Sequence, residues 1–358
     1  MKIIDRYIIR KFLGTFFYAL GLMILIAVIF DMSEKMDDFI EKKAPLKAVV
    51  FDYYLNFIPY FANLFSPMFV FIAVIYFTSR MASQTEIVAI LNGGMSFNRL
   101  IRPYFIAAAF LALLSFYLNG WVIPHANKTR LEFENAYIRN PFTLKERNIH
   151  RQISPGTLIY MESYNARENI GFRFSLEKIK NGQRVYFLNS DRIQWDSTSG
   201  KWTIENYFIR TINGMAEHSE RGLRKDTVFD FVPSDFRMRV NAIEAMDNQA
   251  LNSFIKEQQF QGSSSIDAYQ VEKYRRFSFP FATFILTGIG VSLASRKVRG
   301  GIGFHLGVGI ALSFAYIVFM QIGTTYASKG EFPPLLSVWI PNIIFAAIAY
   351  YLFRKAPK

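Results

Sequence analysis

Lysine and arginine residues near the ends of long apolar runs are the side chains of this sequence that could bind an anionic ligand. Lysine carries a compact point charge, and arginine binds phosphate or carboxylate through two parallel hydrogen bonds. The neighbouring runs are rich in aromatic residues that could face acyl chains. The pattern predicts a site for an anionic lipid, with these candidate residues: Lys35, Lys42, Lys43, Lys128, Arg130, Arg275 and Arg276.

A second interpretation of the same residues stays open. Acidic residues are interleaved with them, which is also typical of a solvated surface rim. Arg275 and Arg276 could simply anchor the apolar run that follows. The interleaved acids are Glu34, Asp37, Asp38, Glu132 and Glu134.

A short helix is predicted between the second and third apolar runs. Ser83 and Glu86 have the spacing of a capping box, and Asn92, Gly93 and Gly94 end the apolar stretch that follows. In one interpretation Glu86 only caps the helix, and its apolar side lies on the membrane. In the other, the segment 83–94 is a coupling helix that docks into a groove on an ATPase. The candidate coupling residues are Ser83, Glu86, Ile87, Ile90, Leu91 and Gly93.

Several kinds of chemistry have no pattern in this sequence. There is no G-x-x-x-x-G-K-[ST] loop for nucleotide phosphates, and the four histidines show no metal-ligand spacing. The apolar runs contain no carboxylate of the kind that ion-coupled transporters need. We therefore expect no cofactor or metal in this chain, and any ATP and Mg²⁺ would belong to a partner ATPase.

Six apolar runs must position these residues. Each is about 20 residues long, the length that crosses the hydrocarbon core of a bilayer as a helix. None contains Asp, Glu, Lys or Arg. The runs are Phe12–Phe30, Leu55–Thr78, Tyr104–Ile123, Phe277–Ala294, Phe304–Tyr326 and Leu335–Phe353.

The distribution of charge predicts the orientation in the membrane. Thirteen basic residues and only two acids, Asp5 and Glu86, lie in the two terminal segments and in the links between runs two and three and between runs four and five. Positive loops stay in the cytoplasm, so both termini are expected there. The net charge of +13 is then a topology signal, and no nucleic-acid partner is needed to explain it.

The polar stretch between the third and fourth runs is predicted to be an external antiparallel β domain. Apolar and polar residues alternate from Phe172 to Glu177, and the segments 184–195 and 202–212 are joined by a turn-rich connection. Further strands are expected at 157–162 and 227–231, and short strands at this spacing suggest a sandwich or jelly roll. Helices are expected at 246–256 and 265–276.

The predicted layout has four parts. Transmembrane helices one to three occupy 1–123, with the coupling helix at about 83–94. An external β domain, a sandwich or a jelly roll, occupies 124–245, a helical connector 246–276, and transmembrane helices four to six 277–358. Gly303 and Gly307 at small-xxx-small spacing are expected to allow close helix contact in the fifth run.

Four short motifs follow one another along the first half of the membrane part: Asp5-Arg-Tyr-Ile8, Phe65-Ser-Pro-Met68, Ser83-Gln-Thr-Glu86 through Asn92-Gly-Gly94, and Trp121-Val-Ile-Pro124. In their order and spacing the chain resembles the LptF/LptG permeases of the lipopolysaccharide export ABC transporter. The resemblance covers nearly the whole chain, and it implies that the external domain is a periplasmic β-jelly-roll domain. The start of the chain and the Trp121-Val-Ile-Pro124 stretch resemble LptG slightly more than LptF.

The resemblance implies a subunit of the inner membrane of a Gram-negative cell. Its partners would be a paralogous permease (LptF or LptG), a cytoplasmic LptB ATPase dimer, and LptC and LptA. Lipopolysaccharide would enter a cavity with lateral gates at spans one and five and pass into the β domain. There an inner groove would shield acyl chains, or the same side chains would fill a closed core: Phe172, Phe174, Leu176, Trp202, Ile204 and Phe208.

Two other classes of function stay open beside the permease. An energy-independent scaffold or receptor would use the β domain for protein contacts and would need no coupling helix. An integral membrane enzyme that modifies lipids would need a cluster of acid, base or metal ligands at one membrane face. The sequence offers no such cluster.

Overall fold

The structure is a computed structural model that describes residues 3–138, 147–165, 168–236, 240–263, 265–295 and 301–356. The chain divides into two compact units. The helical unit consists of Met1–Ile138, Ile243–Leu251 and Asp267–Lys358. The β unit consists of Arg139–Ala242 and Asn252–Ile266.

Eight α-helices are described, and six of them are long and apolar enough to cross a membrane. Each predicted apolar run lies inside one of these six helices, so the six predicted spans are confirmed. In chain order the helices are α1 (Ile3–Glu41), α2 (Leu46–Ser83), α3 (Glu86–Asn92), α4 (Phe97–Tyr137), α5 (Asn248–Gln261), α6 (Ile266–Ala294), α7 (Gly301–Ser328) and α8 (Pro334–Arg354).

The first and third spanning helices extend well beyond their apolar runs. At 39 residues, α1 is about 58 Å long, against a hydrocarbon core of about 30 Å. Helix α4 continues to Tyr137, past the boundary at residue 124 that the end of the apolar run predicts. Turns of π-helix interrupt α2 at Val49–Tyr54 and α4 at Leu118–Val122.

Aromatic packing holds α1, α2 and α4 together. The rings of Phe77 and Tyr104 stack at 5.2 Å between centroids, and Phe12 lies 6.1 Å from Phe77. All three side chains are buried. The Tyr104 hydroxyl forms a hydrogen bond with Thr78 Oγ1 at 3.0 Å. A buried hydroxyl needs such a partner because water cannot reach it.

The glycines that bring helices together are not the predicted pair. A Cβ added at Gly303 or Gly307 meets no described atom within 4 Å, so neither glycine forms a close helix contact within the described part of this chain. At Gly323, in contrast, a Cβ would lie 2.7 Å from the backbone oxygen of Ser337 in α8. Spacing alone does not tell which face of α7 meets another helix.

The β unit contains one antiparallel sheet, which confirms the predicted β domain between membrane helices. Its strands are paired in sequence order, so the sheet is a meander. The strands are β1 (Arg147–Ser154), β2 (Thr157–Asn165), β3 (Ile170–Lys180), β4 (Gln183–Asp196), β5 (Lys201–Asn213) and β6 (Ala216–Thr227).

The last strand differs from the sequence-based expectation. A strand was expected at 227–231, whereas β6 ends at Thr227. Strand β6 lies at a sheet edge and is largely exposed and charged, so it lacks the apolar alternation that marks a half-buried strand. Residues 228–232 instead bring Phe231 into the core, where its carbonyl accepts a hydrogen bond from Trp202 Nε1 at 2.9 Å.

The inward-facing positions shift by one residue partway along the strands. In β3 the buried positions are Ile170 and Gly171, then Phe174 and Leu176, with the two exposed residues Phe172 and Arg173 between them. Arg173 at that point has a φ of 49°, and Asn206 in β5 has a φ of 50°. A left-handed residue re-aims the side chains on either side of it. The strict alternation predicted for these strands is therefore wrong across this position.

Candidate functional site

Helix α3 begins differently from the predicted capping box. The Ser83 hydroxyl donates to the Arg80 carbonyl oxygen at 2.8 Å, and Ser83 is the last residue of α2. The residue before α3 is Thr85, which has a φ of 62° and makes no side-chain cap. The capping-box prediction is wrong, because the left-handed turn at Thr85 already redirects the chain.

The apolar residues of α3 are divided between the core and the surface. Ile87 is only 1% exposed and belongs to the core formed with α1, α2 and α4, against which Ile90 and Leu91 also pack. Val88 is 50% exposed. The helix is followed by Gly93 with an ordinary φ and Gly94 with a φ of 84°, so Gly94 is the residue that needs to be glycine.

An ion pair that the sequence analysis did not predict holds the start of α1 against the start of α4. Arg99 donates two hydrogen bonds to the Asp5 carboxylate, at 2.7 and 2.6 Å. The Asp5 side chain is 6% exposed and that of Arg99 is 26% exposed. This bidentate pair fixes the start of α1 beside the start of α4, which directly follows α3 in the sequence.

The second acid of the predicted cytoplasmic segments, Glu86, has a partner on α1. The Tyr7 hydroxyl donates to Glu86 Oε2 at 3.3 Å. Asp5 and Glu86 are thus the two acids of the predicted cytoplasmic segments, and both contact other elements. In the sequence, the one signal for the contacts of Asp5 and Glu86 is that they are the only acids among thirteen basic residues of these segments.

The candidate lysines divide into paired and exposed groups. Lys35 Nζ donates to Asp31 Oδ1 at 2.5 Å and also to the Tyr53 hydroxyl. Lys42 is partly buried and has an interaction partner. Lys43 and Lys128 are exposed. Of the four candidate lysines, all within the described part of the chain, these last two present an ammonium group to a ligand.

The three candidate arginines lie among carboxylates. Arg130 Nε lies 3.3 Å from Glu134 Oε1, and its guanidinium stacks over the ring of Tyr60. Arg275 pairs with Glu272 at 2.6 Å. Arg130 is only 8% exposed, which does not fit the interpretation of a solvated rim. Contact of these arginines with a lipid phosphate stays a prediction.

Arg276 has a clear structural role. It is 5% exposed and bonds to Glu272 at 3.0 Å, to the Met246 carbonyl oxygen at 2.7 Å and to the Ile243 carbonyl oxygen at 2.9 Å. Arg276 therefore links the segment Ile243–Leu251, which belongs to the helical unit, to α6. This matches the anchoring alternative for Arg276.

A polar cavity of about 40 Å³ lies beside these arginines. That volume holds one or two water molecules and no sugar phosphate. Asn63, Asn119 and Asn127 line it together with Glu244 and Glu272. Burial raises the pKa of Glu244, and the neighbouring Glu272 carboxylate raises it further.

The candidate lipid-path residues of the β unit do not all face the same way. Phe174, Leu176, Trp202 and Ile204 are buried in its core. Phe172 is 43% exposed, and Phe208 is half-buried under the guanidinium of Arg221. The expectation that all six line one inner surface is wrong. The left-handed residue Arg173 separates Phe172 from Phe174, and the left-handed residue Asn206 separates Phe208 from Ile204, so the alternation of buried side chains is interrupted there.

Comparison with known protein families gives one finding that covers the chain. The model of the family described as "Lipopolysaccharide export system permease LptF/LptG" matches residues 6–355. No individual curated protein matches the chain. The match spans both units and does not separate LptF from LptG. The chain therefore belongs to the LptF/LptG family of lipopolysaccharide export permeases.

Proposed function

We propose that this chain is a permease subunit of an ABC transporter that extracts lipopolysaccharide from the inner membrane and passes it toward the outer membrane. The observation that carries the proposal is the family match over residues 6–355. The fold, with six membrane-spanning helices and an inserted antiparallel sheet, supports the proposal. The chain acts in transport, and a separate subunit hydrolyses ATP.

The proposed partners follow from the family. They are a paralogous permease in the same membrane, a dimer of the LptB ATPase in the cytoplasm, and LptC and LptA in the periplasm. The β unit would hand the lipid to a periplasmic bridge of β-jelly-roll domains. ATP and Mg²⁺ would be bound by LptB alone.

Helix α3 is the proposed contact with the ATPase. Its buried residue Ile87 fixes it to the helical core, so a force applied to α3 is transmitted to α1, α2 and α4. Its exposed residue Val88 leaves an apolar side chain for a partner. An amphipathic helix of this kind fits a groove on a second protein.

A pair of substitutions in α3 tests this contact. Val88→Arg places a charge on the exposed side and should reduce co-purification of the ATPase by about tenfold or more, as loss of an interface hot spot does. Ile87→Val changes only the buried side and should retain the ATPase. Normal co-purification and export with Val88→Arg would remove α3 from the proposed interface.

A further inference from the structure

A cleft between the first turns of α1 and the last turns of α2 contains none of the candidate lipopolysaccharide-binding or ATPase-coupling residues. Its volume is about 630 Å³, within the range of about 300–1,000 Å³ that small-molecule sites occupy. Tyr7, Arg10, Lys11 and Tyr18 line it from α1, and Tyr76 lines it from α2. A recess of about 140 Å³ shares several of these residues and adds Arg80.

The charge of the cleft is strongly positive. Arg10, Lys11 and Arg80 are exposed, and none of them forms an ion pair within the described residues. Among the described residues that line the cleft and the recess, Glu86 in the recess is the one carboxylate, and it accepts the hydrogen bond from Tyr7. Lys11 lies over the ring of Tyr7 at 5.8 Å, which leaves its ammonium able to donate hydrogen bonds. Three cations without a carboxylate partner among the described residues favour an anionic group that accepts several hydrogen bonds.

The surface beyond the cleft is apolar. Along α1 toward the middle of the predicted span, Leu22, Leu25 and Ile26 are 48%, 56% and 48% exposed. Tyr18 and Tyr76, at the edge of this surface, are of the type that lies at the boundary between headgroups and acyl chains. A ligand with an anionic head in the cleft would therefore extend apolar tails along α1.

We propose that this cleft binds the phosphate headgroup of an anionic glycerophospholipid. The lipid belongs to the leaflet that surrounds the first turns of α1, which is the cytoplasmic leaflet in the predicted orientation. Basic pockets between transmembrane helices on that side bind such headgroups. The proposal rests on that orientation and is independent of lipopolysaccharide export.

Gly14 keeps the cleft open. It lines the cleft, and a Cβ built on it meets no described atom within 4 Å. A larger side chain there would fill the space without striking the protein. Gly21 is equally open, and it lies two turns further along the same face, about 10 Å deeper in the membrane.

The first experiment measures capture of photoactivatable phosphatidylglycerol by the full chain in phosphatidylcholine nanodiscs. Replacing Arg10, Lys11 and Arg80 by Gln should reduce capture by about fivefold for each charge removed. Arg10→Lys with Arg80→Lys should retain most of the capture. Photoactivatable phosphatidylcholine should be captured weakly by all variants.

The second experiment separates the cleft from general attraction to an anionic membrane. Gly14→Leu should abolish capture, whereas Gly21→Leu should retain it. The proposal is overturned by equal capture in the wild type and Gly14→Leu, by equal capture of the two lipids, or by loss of capture whenever the paralogous permease is bound. The last outcome would assign the cleft to a protein interface.

These outcomes do not depend on export. Capture is measured without ATP and without the ATPase. Failure of the chain to support lipopolysaccharide export would therefore overturn the proposed function and leave the lipid site intact. Loss of the lipid site would equally leave the export proposal standing.

Discussion

Two acidic residues of the helical unit, Asp5 and Glu86, lie in segments where basic residues predominate. Asp5 accepts two hydrogen bonds from Arg99, and Glu86 accepts one from Tyr7. Each acid joins elements that are far apart in the sequence. Both contacts lie near α3, but only Asp5 is buried, and a buried charge needs a partner to offset its lost hydration.

Removing the Asp5 charge should destabilise the helical unit. Asp5→Asn removes the carboxylate charge that pairs with the Arg99 guanidinium, and an ion pair with a buried member is destabilised when one partner is lost. We expect a clear fall in the midpoint of thermal unfolding in detergent. Asp37→Asn, on an exposed residue of the same helix, is the control and should change little. Equal midpoints for the two variants would contradict the structural role of the pair.

In the β unit, Glu220 should make stability depend on pH. Hydrogen bonds from Lys225 and Tyr207 lower the pKa of Glu220 below its ordinary value of 4.5. A lowered folded-state pKa means that the stabilising effect is present above the unfolded-state value and is lost as the pH falls through the folded-state value. Glu220→Gln should therefore be less stable than the wild type at about pH 6, and this difference should shrink as the pH falls through the folded-state pKa of Glu220.

Tryptophan fluorescence of the full chain measures this difference. Replacing Trp121 and Trp339 by Phe leaves Trp195 and Trp202, which both lie in the β unit. In this background, unfolding curves with and without the Glu220→Gln substitution are then compared across the pH range. A difference that grows as the pH falls would show that the sign of the effect is wrong.

Among the elements, the contact between α7 and α8 depends on one small residue. At Gly323 a Cβ would lie 2.7 Å from the Ser337 backbone oxygen, and a backbone atom cannot swing away as a side chain can. The Tyr316 hydroxyl donates to Asn342 Oδ1 at 2.9 Å in the same pair of helices. Close approach and a buried hydrogen bond together hold membrane helices that gain little from apolar burial.

Enlarging Gly323 should separate these two helices. We expect Gly323→Val to destabilise the helical unit by about 1–3 kcal/mol through overpacking. Gly307→Val, on the same helix but facing open space, is the matched control. The measurement is thermal unfolding in detergent, and a larger loss for Gly307→Val would mean that the wrong face of α7 has been assigned to the contact.

For the whole molecule, the predicted orientation can be tested because the chain contains no cysteine. Met215, in the turn between β5 and β6, is fully exposed, and Ser83 is exposed beside α3. In intact cells a membrane-impermeant maleimide should label Met215→Cys and should label Ser83→Cys only after the inner membrane is permeabilised. The reverse pattern would invert the topology and remove α3 from contact with any cytoplasmic ATPase.

The sequence by itself determined the six spans, their expected orientation, the antiparallel β insertion and the family. Hydropathy and charge can be summed over a short segment, so they do not depend on which residues meet in space. The tertiary structure decided that Asp5 meets Arg99, that Gly323 rather than Gly303 or Gly307 forms the close contact, and that Phe172 faces outward. Contacts between distant residues and a left-handed turn at Arg173 follow from packing in three dimensions, which no local pattern encodes.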